Sequence, residues 1–472
     1  MELAVQDIVR ATGGEYIGEE AGMRRVVTGF TWDSRTVKSD ALFIAMPGMR
    51  VDGNDYISAA IQMRAGAVLC TKAPNDNTLA MAGEFTCPLI VVDDGIEALE
   101  RLAGYWRDQL HAIVIGVTGS TGKTSTKEFL RSVLSQRFKT AATAGNQNNE
   151  IGVPATILSA DMDTEVLIVE LGMRGLHQIE HLCSFVKPAI GVITNVGVSH
   201  LELLGTRENI ARAKAELLIA LPQTGLAVLN ADDSFTDMLK SYGMLDEHGV
   251  SVKSYGFAQD ATVRASEPVF GKTACASFEL LLDDAESVPV TLSMPGRHNV
   301  SNALAAACTG LYLGVTPQEV ALGLEQAQSG KMRLEILHSK RGITIVHDAY
   351  NANPDSRPAS LDTLISLACE SRRIAVLGDM GELGDDEYQL HVDVGAYAAR
   401  AGLDMLVCVG TLSVGIKAGA LAADMDASKV KSFTGIEEAQ EFLAKYLQEG
   451  DLILVKASRF MELERIVQGI ME

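Results

Sequence analysis

The apolar positions of this chain fall into two textures. Over the first ~105 residues they form short strand-length runs, FTWDS, ALFIAM, AGAVLC and PLIVVDD, with little long-helix periodicity between them. From residue 111 the runs lengthen and alternate regularly with amphipathic segments: HAIVIGV, EVLIVELG, PAIGVITNV and GLAVLN. Near-continuous apolar strands separated by helices predict a parallel sheet covered on both faces. Near 325–335 the stretch QAQSGKMRLE has few bulky apolar residues and interrupts the rhythm, so it reads as a linker and a hinge. A second alternating series follows in GITIVHDA, RRIAVLGD, DMLVCVG and LILVKAS. The expected fold is therefore α/β in three domains. They are a small α/β N-terminal domain at 1–107, a central, mostly parallel doubly wound domain at 108–328, and a C-terminal Rossmann-like α/β domain at 329–472.

Bulk composition narrows the partners. The formal net charge of −21 disfavours nucleic acid and anionic membrane surfaces. The chain contains no run of about 18 apolar residues, so no membrane span is expected, and its opening MELAVQDIVRATGGEY lacks a secretory apolar core. Seven dispersed cysteines without a C-x-x-C pair read as reduced thiols in a cytoplasmic protein.

The strongest chemical signal is IVIGVTGSTGKTS at 113–125. A strand, a glycine turn and an amphipathic helix in this order suit a polyphosphate, because backbone N–H groups and the helix N-terminus converge there. The pattern G-x-x-x-x-G-K-[ST] is not met in full, since position 117 is Val. The usable grip is Gly119, Ser120, Thr121, Gly122, Lys123, Thr124 and Ser125. Lys123 would reach the β/γ phosphates of ATP, and the Thr124 hydroxyl would bind Mg²⁺. No N-K-x-D segment argues for a GTPase, and no H-R-D or D-F-G for a protein kinase.

Further candidates stand at strand ends, where open α/β sheets build their sites. Glu170 closes EVLIVE and would take a metal; the bland alternative is a solvated strand-end carboxylate. His200 follows PAIGVITNVGVS as a second candidate ligand. In TRENIARAKAELLIAL the helical period puts Lys214 on one face with Ile210, Leu217 and Leu221. Its head either snorkels to water or sits modified near a metal. The helix beginning RHNVSNALAA carries Asn299 and Asn302; Asn302 would offer its amide to a purine edge, and Asn299 alternatively caps the helix. The loop HDAYNANPDS brings Asp348, Tyr350, Asn351 and Asn353 together. The loop GDMGELG at 378–384 is spaced G-x-x-G-x-x-G, a weak dinucleotide fingerprint.

Taken together, DSR at 33–35, GSTGKT at 119–124, GNQNNEIGVPATIL at 145–158, VELGMRG at 169–175, ITNVGVSHLELLGTRENIARAKAEL at 193–217, PGRHNVSNALAA at 295–306, HDAYNANPDS at 347–356, VLGDMGELG at 376–384 and LVKASR at 454–459 resemble the Mur ligase family. GNQNNEIGVP and DAYNANPDS resemble the branch that joins D-alanyl-D-alanine to UDP-N-acetylmuramoyl-tripeptide. The resemblance implies ATP-dependent amide formation through an acyl phosphate, with two Mg²⁺ ions. It implies that Lys123, Glu170, His200 and Lys214 are catalytic, with Lys214 converted by CO₂ to a carbamate, and that Thr124, Glu170, His200 and Lys214 hold the metals. It further implies that Arg333 and Asp348 complete the ATP site with Asn299 and Asn302. Ser34, Arg35, Asn146, Asn148, Asn149, Tyr350, Asn351 and Asn353 are then left to bind substrate, in a monomer. Relatives often read D-G-H-x-F where this chain has Asp52-Gly53-Asn54-Asp55-Tyr56. The nearest rival is a folylpolyglutamate synthetase-like sister ligase; a P-loop regulatory ATPase is a rival of another class.

Overall fold

The computed structural model describes residues 1–48, 51–282 and 287–472. The chain forms two compact units. One comprises 1–116, 138–172 and 181–188; the other comprises 117–137, 173–180 and 189–472.

In the first unit, the predicted short runs become a five-stranded sheet. Its order is Glu15–Ile17, Leu89–Val91, Ala67–Cys70, Leu42–Ala45 and Phe30–Thr31. All neighbours are parallel except the first pair. Phe43, Val68, Cys70 and Leu89 pack with Ile57 and Ile61 of the covering helix into one core. Farther along, Thr140–Ala142 pairs in parallel with Val166–Glu170, whose five residues are all buried.

In the second unit, Ile190–Ile193, Leu226–Asn230, Ser251–Gly256 and Val263–Ala265 pair in parallel. An antiparallel extension follows, in which Cys275–Leu281 pairs with Val263–Ala265, Val269–Phe270 and Ser287–Pro295. Ser287–Pro295 alternates exposed and buried residues from 287 to 294, as expected for a sheet with one wet face. Helix Lys123–Leu134 packs against helix His298–Tyr312.

The C-terminal part of this unit is a six-stranded sheet. Its order is Glu335–His338, Thr344–His347, Leu452–Lys456, Arg373–Gly378, Met405–Val409 and Val430–Phe433. It is parallel except for the first pair. The period of two sends side chains to separate cores. Val346, Ala375, Leu377, Leu406 and Leu454 face one; Ile345, Ile374, Val376, Val407 and Ile453 face the other. The strands' C-terminal ends therefore bring Asp348, Asp379 and Ser458 to one edge. All seven cysteines are free thiols. Among the described residues, no helix is long and apolar enough to cross a membrane.

Candidate active site

Strand Ile113–Thr118 runs into a turn whose last residue, Gly122, caps helix Lys123–Leu134 at φ 79°. That left-handed conformation suits glycine alone. Space demands glycine as well: a Cβ at Gly119 would overlap Thr194 Oγ1, and one at Gly122 would overlap Asn302 Oδ1. The turn is braced by the next strand's exit. Ser120 N donates to Asn195 O and Thr121 N to Asn195 Oδ1, both at 3.0 Å. Thr194 Oγ1 donates to Thr121 O at 2.6 Å. Lys123 Nζ lies over the loop, 2.6 Å from Gly119 O and 3.4 Å from Ser120 O. Thr124 is buried, and its hydroxyl has no hydrogen-bond partner.

The two asparagines expected at the adenine have other commitments. Asn302 Oδ1 accepts from Thr126 Oγ1 at 3.3 Å, and its Nδ2 donates to Asn299 Oδ1 at 2.9 Å. Asn299 Nδ2 donates back to Pro295 O at 2.7 Å. Both amides are engaged at both ends, so their visible work is to tie the start of helix His298–Tyr312 to helix Lys123–Leu134. Asn299 lies inside the helix and does not cap it; the cap position belongs to Arg297.

Lys214 lies in helix Arg207–Ile219, buried with Ile210 and Leu217. The snorkelling alternative fails here, because the residue is 1 % exposed. Burial, reinforced by the Lys123 charge and only partly offset by Asp233, pushes its pKa well below the ordinary lysine value. His200 takes φ 65°, unusual for a residue with a Cβ. Its Nδ1 lies 2.6 Å from Glu382 Oε2. Glu382 belongs to the GDMGELG loop and also meets Arg174 at 3.4 Å. Sequence reasoning placed no role on this carboxylate.

Arg333 stacks on Tyr350, with its guanidinium carbon 4.2 Å from the ring centroid. It stands between Met332 at φ 59° and Leu334 at φ 51°. Two left-handed residues in three make the stretch expected as a hinge a strained one. Asp348 Oδ1 accepts from Leu334 N at 3.2 Å. Its Oδ2 accepts from Ser360 Oγ and from Lys456 Nζ, both at 2.6 Å. Burial lowers the Lys456 pKa even against Asp348's pull. Asn351 is exposed; its carbonyl accepts from Lys456 at 3.1 Å. Asn353, expected to face substrate, has both amide ends engaged. Its Oδ1 accepts from Ser356 N at 2.7 Å, and its Nδ2 donates to Ser199 Oγ at 2.8 Å.

In the first unit, Glu170 is fully buried at its strand end. Asn148 Nδ2 donates to its Oε1 at 2.8 Å, while Oε2 has no partner. Asn149 Oδ1 accepts from Gly152 N at 3.0 Å and so fixes the next helix; Asn146 is half-buried in the same loop. A cavity of about 310 Å³ lies beside Phe30, Trp32, Asp33, Thr36, Gln147 and Thr156. Ser34 and Arg35 occupy the same turn but do not line it. Arg35 instead chelates Asp33 through Nε at 2.9 Å and Nη2 at 2.7 Å. Those side-chain bonds, with the Arg35 backbone N–H, hold the Asp33 pKa down to about 2. Trp32 and Gln147 line this cavity, although neither was among the candidate residues read from the sequence. Asn54 is a structural brace: it donates to Asp52 Oδ1 at 2.7 Å and accepts from Thr71 N at 3.1 Å.

Among the described residues, no three His, Cys, Asp or Glu side chains gather as a metal cage. The unpartnered oxygens of Thr124 and Glu170 are nonetheless of the hard type that suits Mg²⁺, which commonly takes one or two protein ligands and completes its shell with phosphate and water.

Three family models match the chain in succession: Mur ligase family, catalytic domain, over 26–107; Mur ligase middle domain over 117–310; and Mur ligase, glutamate ligase domain over 332–459. The UDP-N-acetylmuramoyl-tripeptide–D-alanyl-D-alanine ligase of Bacillus subtilis is 33% identical over 95% of this chain and 94% of its own length. The crystal structure of MurF from Acinetobacter baumannii superposes with a TM-score of 0.85 at 30% identity, covering 100% of this chain and 99% of the other. MurF ligase from Thermotoga maritima, solved in complex with ADP, gives 0.76 at 26% identity over 94% of this chain and 97% of its own. With its three domain matches in series and a full-length relative above 30% identity, this chain belongs to the Mur ligase family.

Proposed function

We propose that the chain joins D-alanyl-D-alanine to UDP-N-acetylmuramoyl-tripeptide at the expense of ATP, giving the pentapeptide precursor of peptidoglycan, ADP and phosphate. The observation that carries this reading is the full-length similarity to ligases so named, supported by a turn that leaves no room for a Cβ at Gly119 or Gly122. A carboxylate is a poor electrophile. Transfer of the γ-phosphoryl group onto the tripeptide carboxylate makes an acyl phosphate. The dipeptide amine then adds to the acyl carbon, and the tetrahedral intermediate expels phosphate. Positioning and charge neutralisation are what such a protein supplies.

In this reading the amides of the 119–125 turn and Lys123 hold the β and γ phosphates. Thr124 and, separately, Glu170 each offer Mg²⁺ an unpaired buried oxygen. Mg²⁺ when bound neutralises polyphosphate charge. Lys214, whose burial favours the uncharged amine, would add to CO₂; its nitrogen would lose a proton to give a carbamate, which with His200 would offer ligands to a second Mg²⁺. Arg333 steadies the γ-phosphate and Asp348 the ribose, with Tyr350 and Asn351 facing the dipeptide. The cavity beside Trp32 and Asp33 takes the uridine diphosphate, with Ser34, Arg35 and the 146–149 asparagines at its edge. Asn299, Asn302 and Asn353 act as braces. We draw the domain boundaries at 107/108 and 328/329, and we place the enzyme in the cytoplasm as a monomer. Phosphate release from ATP, measured with UDP-N-acetylmuramoyl-tripeptide present, tests the reading. It rises on adding D-alanyl-D-alanine; release indifferent to the dipeptide would favour a regulatory ATPase.

A further inference from the structure

The segment Gly197–His200 is gripped from two directions. On one, Gly197 N donates to Ser120 Oγ of the phosphate loop at 2.9 Å, and Ser199 Oγ donates to Ser120 O at 3.4 Å. On the other, three side chains from the C-terminal sheet's loops take successive residues. Asp355 Oδ2 accepts from Val198 N at 3.0 Å. Asn353 Nδ2 donates to Ser199 Oγ at 2.8 Å. Glu382 Oε2 meets His200 Nδ1 at 2.6 Å. Two details argue that the grip is built. Asp355 stands at the N-cap of helix Ser356–Ser366 yet makes no capping bond; Asn353 Oδ1 takes Ser356 N instead, which releases Asp355 to reach Val198. A Cβ at Gly197 would overlap Asp355 Oδ2, so the grip also requires glycine there.

We infer that Asn353, Asp355 and Glu382 are positioning residues that form a clamp, reading the state of the phosphate loop through the 197–200 strip. Ser120 is the point where a bound polyphosphate would act on the strip. The clamp is how the strip then holds the C-terminal loops that carry Asp348 and Tyr350. Glu382, by accepting from Nδ1–H, leaves His200 Nε2 as the outward acceptor. The inference rests on the ligase reading and names the residues that couple its nucleotide and dipeptide halves.

The test uses the full chain with Asp355→Ala, Gly197→Ala and the double variant. Asp355→Ala lowers kcat/KM for the dipeptide by about tenfold to a hundredfold, the worth of one charge-assisted hydrogen bond, and leaves binding of a non-hydrolysable ATP analogue nearly unchanged. Gly197→Ala is worse, because its methyl forces the clamp open. The double variant recovers toward the level of Asp355→Ala, because the severe overlap is gone and only the 3.3 Å approach to Ser120 Cβ remains. Amide exchange gives a readout independent of turnover: the analogue slows exchange at Val198 in the parent and not in Asp355→Ala. If Gly197→Ala fails to fold, Asp355→Asn, with a weaker neutral acceptor, gives an intermediate loss. Gly197→Ala at parental activity, losses that multiply in the double variant, or unchanged coupling at Val198 would each overturn the clamp. Ligation would continue in those cases, whereas an unsubstituted chain that makes no pentapeptide overturns the ligase reading itself.

Discussion

Replacing Lys214 by Met should make the protein more stable and nearly inactive. The residue is 1 % exposed, in a helix that buries Ile210 and Leu217 beside it. Keeping such a polar group buried costs about 1–3 kcal/mol in protein mutational terms. Met has a similar unbranched stem, so repacking among Ile210 and Leu217 should cost less than about 1.5 kcal/mol. The balance predicts a gain of roughly 1 kcal/mol, read by calorimetry as a higher unfolding temperature. Activity moves the other way. Loss of one preorganised charged group aimed at a transition state costs about 10²–10³ in kcat, measured as dipeptide-dependent ADP release. Lys214→Ala leaves room for a small acid, so short carboxylic acids should restore part of the rate. A Met variant that keeps its activity would show that the lysine only packs. One that loses stability would show that the amine has a stabilising partner.

Gly122→Ala should weaken ATP-analogue binding at least tenfold: a Cβ at φ 79° costs roughly 1–2 kcal/mol and overlaps Asn302 Oδ1; titration calorimetry at parental affinity would contradict this. His298 should make stability fall in acid. Burial, against the pull of Asp348, lowers its pKa from 6.5 to about 4. The unfolded chain therefore binds a proton that the folded chain refuses. Stability is full above 6.5 and declines toward pH 4, by about 3 kcal/mol in all. His298→Met should flatten that slope in denaturant titrations, and an unchanged slope would refute the assignment. Asp451→Ala should loosen the C-terminal sheet by about 1.5–3 kcal/mol, the worth of a hydrogen bond to a charged group, because Arg372 meets its buried carboxylate at 2.6 Å. Faster amide exchange confined to strand Leu452–Lys456 and its neighbours is the expected sign.

Much of the architecture was legible because parallel strands write themselves as apolar runs. Each of the twelve strand segments read from the sequence, from FTWDS to LILVKAS, contains an observed strand. The antiparallel extension at 263–295 was passed over. Ser287–Pro295 alternates polar and apolar residues, a half-exposed pattern that a search for continuous runs does not see. At the candidate site, residue type singled out loops but not the partners their side chains take. Asn302 and Asn353 carry amides suited to ligands, yet each amide closes on the protein. Their partners, Thr126 and Ser199, lie 176 and 154 residues away, and no local pattern encodes such pairs. The same distance hid Glu382, 182 residues from His200. Lys214 was the reverse case: helical period put it on the inward stripe with snorkelling still open, and the structure buries it with a lowered pKa.

The most direct measurement is mass spectrometry of the products formed from ATP, magnesium, UDP-N-acetylmuramoyl-tripeptide and D-alanyl-D-alanine. The account predicts UDP-N-acetylmuramoyl-pentapeptide in amounts matching the ADP released. ADP without the pentapeptide, or neither product, would contradict it.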